Sequence, residues 1–145
     1  MRDILFRGKR LDNGEWVYGS FCMDAREQFN GLCGVDGFIR LYDKAKGKMQ
    51  SHEVDRETVG QYTGLKDKNG TRIFEGDIVS TDIKRPYLIV EFRDGCFMFN
   101  CNDGGEDYYE IMLPIIKDPQ TVYKYGEVIG NIHDNPELLE GDASE

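Results

Sequence analysis

Apolar positions in this chain fall in short runs separated by turn-forming residues, and the clearest is Val59 to Val79, VGQYTGLKDKNGTRIFEGDIV. Val59, Tyr62, Thr63 and Leu65 supply strand-favouring residues on one side, and Thr71, Ile73, Phe74, Ile78 and Val79 supply them on the other. Between them stands Asp67-Lys68-Asn69-Gly70. Asn-Gly between such runs predicts a β-hairpin, because both residues tolerate positive φ at low cost. Gly76-Asp77 predicts a second turn or bulge, with Ile78-Val79 opening the next strand. None of these residues is an obvious nucleophile or metal ligand, so the stretch reads as scaffold.

The same rhythm continues on either side. Ile4-Leu5-Phe6 predicts a first strand, Asp12-Asn13-Gly14 a turn, and Glu15 to Cys22 a second strand. Alternation there sets Trp16, Tyr18 and Ser20 on one face and Val17 and Phe21 on the other, with Gly19 marking a bulge. Val35 to Tyr42 predicts a strand, Asp43 to Lys48 a charged turn, and Met49 to Val54 a returning arm. Tyr87 to Arg93 and Cys96 to Cys101 form a hairpin around Arg93-Asp94-Gly95, and Asn102 to Asp107 is a loop. Tyr108 to Ile116 is β-prone and broken by Pro114, and Val122 to Ile132 holds the last strand. Asn135-Pro136-Glu137 opens a short helix, with Asn135 as N-cap, Pro136 at the first helical position and Leu138 and Leu139 docking the turn. Residues 141–145 are too polar to fold against a core and form a tail. The pattern describes one β-rich domain over 1–140, with an N-terminal part to residue 58 and a barrel part over 59–140.

Three blocks carry a resemblance. GQYTGLKDKNG followed by IFEGDIV, MRDILFRGKRLDNGEWVYG at the start, and VIGNIHDNPELL towards the end are similar to the YopX-like family, small proteins of phages, prophages and bacterial mobile elements. The blocks cover about a third of the chain in the family's order. The resemblance implies a compact, mainly β fold with a small SH3-like barrel built from short antiparallel strands, and a mobile-element origin. It supplies no catalytic residues.

Composition agrees with short strands. Of the 145 residues 12% are aromatic and 17 are Gly, which suits strands and turns better than long helices. No apolar run approaches the roughly 18 residues of a membrane span. The N-terminus lacks the apolar core of a signal peptide. These features lead to the expectation of a cytoplasmic protein with no membrane partner. Cys22, Cys33, Cys96 and Cys101 then read as reduced thiols. A zinc site needs converging ligands, and residues five apart on a strand, as Cys96 and Cys101 are, point to opposite faces.

Charge is unevenly distributed. The formal net charge is −9; residues 1–90 carry 15 Lys+Arg and 14 Asp+Glu, whereas residues 91–145 carry 3 and 13. Overall acidity works against long-range attraction to nucleic acid or anionic membranes, yet leaves room for a local basic patch in the first part.

No phosphate loop, dinucleotide fingerprint, zincin helix or nucleophile elbow is present. His52 reads as an exposed or hydrogen-bonded strand residue. Asp103, Glu106, Asp107 and Glu110 crowd a glycine pair but lack calcium-loop spacing, so they read as a solvated acidic loop. The catalytic, cofactor and metal assignments are therefore none. Two basic sets remain: Arg7, Lys9 and Arg10, and Lys66, Lys68 and Arg72. Simple solvation beside Asp12 and Asp67 explains them. If they met on one face beside Trp16 or Tyr62, they would contact single-stranded nucleic acid through phosphates and stacking. Tyr108, Tyr109, Ile111, Met112 and Leu113 are more apolar than an edge strand should be and form a candidate homo-oligomer interface.

The leading reading is a non-enzymatic phage or prophage accessory protein that binds another macromolecule, protein or nucleic acid. The alternative is a nucleic-acid-binding SH3-like barrel. The third and weakest is a metal-dependent hydrolase using Asp103, Glu106 or Asp107.

Overall fold

A computed structural model describes residues 3–23, 37–81, 87–103, 106–111, 122–123 and 126–140. Strands β1 (Phe6–Arg10), β2 (Trp16–Cys22), β3 (Phe38–Asp43), β4 (Lys48–Asp67) and β5 (Arg72–Phe74) lead into β6 (Asp77–Thr81), β7 (Leu88–Arg93), β8 (Cys96–Asp103) and β9 (Glu106–Ile111). Then come β10 (Val122–Tyr123), β11 (Gly126–Asn131) and one 3₁₀ turn, Pro136–Leu139. The mainly β expectation holds. The chain divides into two compact units, Met1–Tyr62 and Thr63–Glu145, with the division inside β4. The expected tail over 141–145 and the segment 24–34 lie outside the described residues.

In the first unit, β1 pairs antiparallel with β2, β2 with β3, β3 with β4, and β1 again with β4. Alternation places Ile39 and Val54 inward, both fully buried, with the Phe6 and Phe21 rings 6.2 Å apart. Gly19 is not a bulge. It pairs in register with Phe6, and a Cβ there would meet the Arg40 carbonyl oxygen at 2.2 Å, so the position is reserved for close backbone approach.

The irregularity lies instead in β4, where the sequence suggested a break between Val54 and Val59. Arg7 pairs with Gly60 and Lys9 with Asp55, so Gly8 alone faces Arg56 to Val59. Thr58 closes this excursion: its buried hydroxyl donates to the Asp55 carbonyl at 2.6 Å and accepts the Lys9 N–H at 2.8 Å. With backbone groups satisfied in this way, the strand runs on as a single long element.

In the second unit the sheet order is β11-β6-β7-β8-β9. Leu65, Ile73, Val79, Leu88, Val90 and Phe99 form its core, with Phe97, Cys101 and Val128 packed against them. The expected SH3-like barrel does not close. The end of β4 pairs with β5 and, in parallel, with β10, leaving β9 and β11 as the two ends of an open sheet among the described strands. The hairpin β7–β8 turns at Asp94 and Gly95, both at positive φ, as Asp-Gly predicts.

Buried polar side chains hold the turns. Asp67 is 1% exposed, and its carboxylate accepts the N–H groups of Asn69, Thr71 and Val128, each at 2.9 Å. Asp77, also buried, accepts the Phe74 N–H at 2.7 Å. Asn131 accepts the N–H groups of His133 and Asp134, while its own N–H donates to the Asn135 side chain at 3.2 Å. Asn135 takes the expected N-cap position, but its side chain makes no capping bond because its oxygen serves Asn131; Pro136 occupies the first helical turn. Leu139 is exposed rather than docked.

Gly70 sits at φ +83 with open space where a side chain would go. Gly70→Val is therefore expected to lose about 1–2 kcal/mol through backbone strain alone. A lowered denaturant midpoint with an unchanged slope checks this.

Candidate functional site

The ladders of the first unit order its outward side chains. Arg7 stands opposite Tyr18 and Lys9 opposite Trp16. The Arg7 guanidinium lies 4.7 Å from the Trp16 ring centroid and the Lys9 ammonium 5.6 Å, so two cations share one indole. Arg10 reaches Asp12 through two hydrogen bonds, at 2.9 and 2.6 Å. Hydrogen bonding from Arg10 holds the fully exposed Asp12 carboxyl below its ordinary value of 3.8. That pairing is present at neutral pH and is lost only when pH falls through the lowered value.

The face continues across the sheet. Ser20 stands opposite Arg40, and alternation puts Tyr18 on the face of Ser20 and Tyr42 on the face of Arg40. Tyr42 in turn stands opposite Met49. Arg7, Tyr18, Tyr42 and Met49 thus form one group on a shared face of β1, β2, β3 and β4, within which Arg7 is buried. Its last three members are exposed by 45%, 57% and 53%, against the burial of Ile39 and Val54 on the other side. These are large side chains exposed on one face of neighbouring strands. Beyond this group, the β3–β4 turn carries exposed Lys44, Lys46 and Lys48. Within the turn, the Asp43 carboxylate accepts the N–H groups of Ala45 and Lys46, at 2.9 and 3.1 Å.

Of the residues singled out in the sequence, the structure brings together Arg7, Lys9 and Trp16. Tyr62 is 6% exposed and leaves no ring face for a base. Lys66, Lys68 and Arg72 belong to the second unit, at the β4–β5 hairpin, where Lys68 lies 4.0 Å from Glu127. Sequence reasoning missed Tyr42, Met49 and Arg40. The signal that could have found them is the alternation of Phe38, Arg40 and Tyr42 along one strand and of Met49 and Ser51 along its hairpin partner.

Tyr108, Tyr109 and Ile111 lie on β9, an end strand of the second sheet. Tyr109 is half-buried, its hydroxyl accepting a hydrogen bond from Arg93, whose guanidinium stacks 4.3 Å from the ring centroid. Met112 and Leu113 lie outside the described residues, as do Cys33 and the Gly104-Gly105 pair of the acidic loop. The side chains of Asp103, Glu106 and Asp107 are likewise not described. Cys22, Cys96 and Cys101 are free thiols. Cys101 packs on the core while Cys96 donates to the Arg93 carbonyl, so the two point apart as alternation requires. Among the described residues no group of three or more His, Cys, Asp or Glu side chains could hold a metal ion. No helix among them is long and apolar enough to cross a membrane.

No curated protein matches the sequence. Among solved structures, the chain is similar to protein EF1440 from Enterococcus faecalis, with 26% identity, a TM-score of 0.52, and coverage of 97% of this chain and 100% of that one. That likeness supports the β architecture described above and carries no activity with it. The family model for YopX protein matches residues 5–140, which takes in the Arg7–Trp16 pair, the Tyr18–Tyr42–Met49 group and all three turn-holding side chains. A match across nearly the whole chain settles its kinship: this protein belongs to the YopX family.

Proposed function

We propose that this chain is a non-enzymatic accessory protein of a phage or other mobile element, acting in the cytoplasm by binding another macromolecule through the outward face of its first unit. The observation that carries the reading is the exposed group Tyr18, Tyr42 and Met49. Exposing three large side chains on one sheet face leaves apolar area in water, where covering it gains roughly 25 cal/mol per Å². The mobile-element context rests on the family resemblance of the three sequence blocks.

Affinity capture tests it. Wild-type protein is expected to retain a macromolecular partner, protein or nucleic acid, from cells carrying the parent element. The triple variant Tyr18→Ser, Tyr42→Ser, Met49→Ser is expected to lose it while keeping its melting temperature. Equal capture by both proteins would remove this face from the function.

Self-association through β9 belongs to the same proposal, since β9 ends the strand order of the second sheet. Light scattering at micromolar concentration is expected to give a mass above the 16.7 kDa of one chain. Met112→Asp should lower that mass and leave the strand content intact. A single-chain mass at every concentration would exclude the oligomer.

A further inference from the structure

We propose that the occupant of the first unit's outward face is single-stranded nucleic acid, with bases stacked on Tyr18 and Tyr42 and phosphates held by Arg40, Lys44, Lys46 and Lys48. The inference rests on the reading that this face binds a macromolecule, and it names the chemical class.

Three features point to that class. First, the two tyrosines are exposed on one face of adjacent strands, and their exposure leaves ring area for a base. Stacking on such rings tolerates any sequence, because every base has a π face. Second, cations lie close to Tyr42 along the chain. Residues 37–51 carry 4 Lys+Arg against 1 Asp+Glu, and that single acid, Asp43, is engaged by two backbone N–H groups of its own turn. Arg40 stands beside Tyr42 on β3, and the three lysines occupy the turn that follows it and the first position of β4. Third, the overall acidity does not extend to this unit. Residues 1–62 carry 10 Lys+Arg and 10 Asp+Glu, whereas residues 63–145 carry 8 and 17. Charges more than a Debye length apart, about 8–10 Å at ordinary salt, are largely screened, so the local balance governs contact.

A duplex fits these features less well, because its bases are already stacked on one another and offer the tyrosines no free face. An acidic polypeptide would satisfy the lysines but would not use the rings for stacking. The methionine of this group suits either a base edge or an apolar side chain and does not discriminate.

Fluorescence anisotropy with a labelled oligodeoxythymidine and the full chain tests the inference. Saturable binding is expected at low salt. Tyr18→Ala with Tyr42→Ala should weaken it by about tenfold or more, as loss of base stacking does. Lys44→Ala, Lys46→Ala and Lys48→Ala together should reduce the slope of log affinity against log salt by about 2, from roughly 0.7 per lost phosphate contact. Both variants alter exposed side chains, and an unchanged melting temperature confirms that each is folded. No binding at low salt overturns the inference, as does a tyrosine variant that binds like wild type. Binding of polyglutamate with the oligonucleotide silent assigns the face to an acidic protein and also overturns it. If the triple serine variant loses a cellular partner while the oligonucleotide stays silent, the binding face stands and the ligand class falls.

Discussion

Replacing Asp67 with alanine is expected to lower stability by about 3–5 kcal/mol, among the largest effects of any single substitution in this chain. Hydrogen bonds from backbone N–H groups to a charged acceptor contribute roughly 1.5–3 kcal/mol each. This carboxylate accepts three of them, from Asn69, Thr71 and Val128. Alanine leaves three part-buried N–H groups without their acceptor, and the loss is less than three times one bond because they share one site. Two of the bonds close the β4–β5 hairpin, and the third ties that hairpin to β11. Asp67→Asn separates the two roles. Its amide oxygen can still accept from Asn69 and Thr71, but its NH₂ would face the Val128 N–H, donor against donor. An intermediate loss of about 1–3 kcal/mol is therefore expected. Chemical denaturation of the three proteins gives the comparison. An alanine variant within about 0.5 kcal/mol of wild type, the range of ordinary surface changes, would show that the buried carboxylate does not hold the hairpin.

The second large effect is expected at Gly19. Gly19→Ala should cost about 2–3 kcal/mol, and Gly19→Val more, through overpacking. The new Cβ would lie 2.2 Å from the Arg40 carbonyl oxygen and 3.2 Å from the Ile39 side chain. The first neighbour is backbone in a paired strand and cannot rotate away, so β2 and β3 must separate where they cross from the β1 ladder to the β3 ladder. Gly70→Ala is the control, because its cost comes from the sign of φ and not from space. Thermal melts of the two alanine variants should show the larger drop for Gly19. The Gly19 variant should also perturb Tyr18 and Tyr42, since both tyrosines are anchored on the strands it pushes apart. A Gly19→Ala melt equal to wild type would mean that the strands are not packed this closely.

Much of this protein was legible as sequence because its information is local. The hairpin tips Asp67 to Gly70 and Arg93 to Gly95 needed only the preference of Asn, Asp and Gly for positive φ. The alternation of Trp16, Tyr18 and Ser20 against Val17 and Phe21 needed only the period of a strand. The blocks that carry the family resemblance coincide with the turns held by Asp67, Asp77 and Asn131, where a particular side chain is required by a particular set of backbone groups. Tertiary structure decided the rest. Whether β4 breaks or continues past Val54 depends on a Thr58 hydroxyl bonding a strand far away in sequence. Asn135 carries the local signature of a helix cap, yet Asn131 competes for the same oxygen and wins it. Barrel closure depends on which strand takes the last free edge, and the end of β4 gives its edges to β5 and β10. The candidate binding face also had to await the fold. Tyr18, Tyr42 and Met49 come from three strands, and only the pairing between strands, a non-local property fixed by the buried faces, sets them on one face.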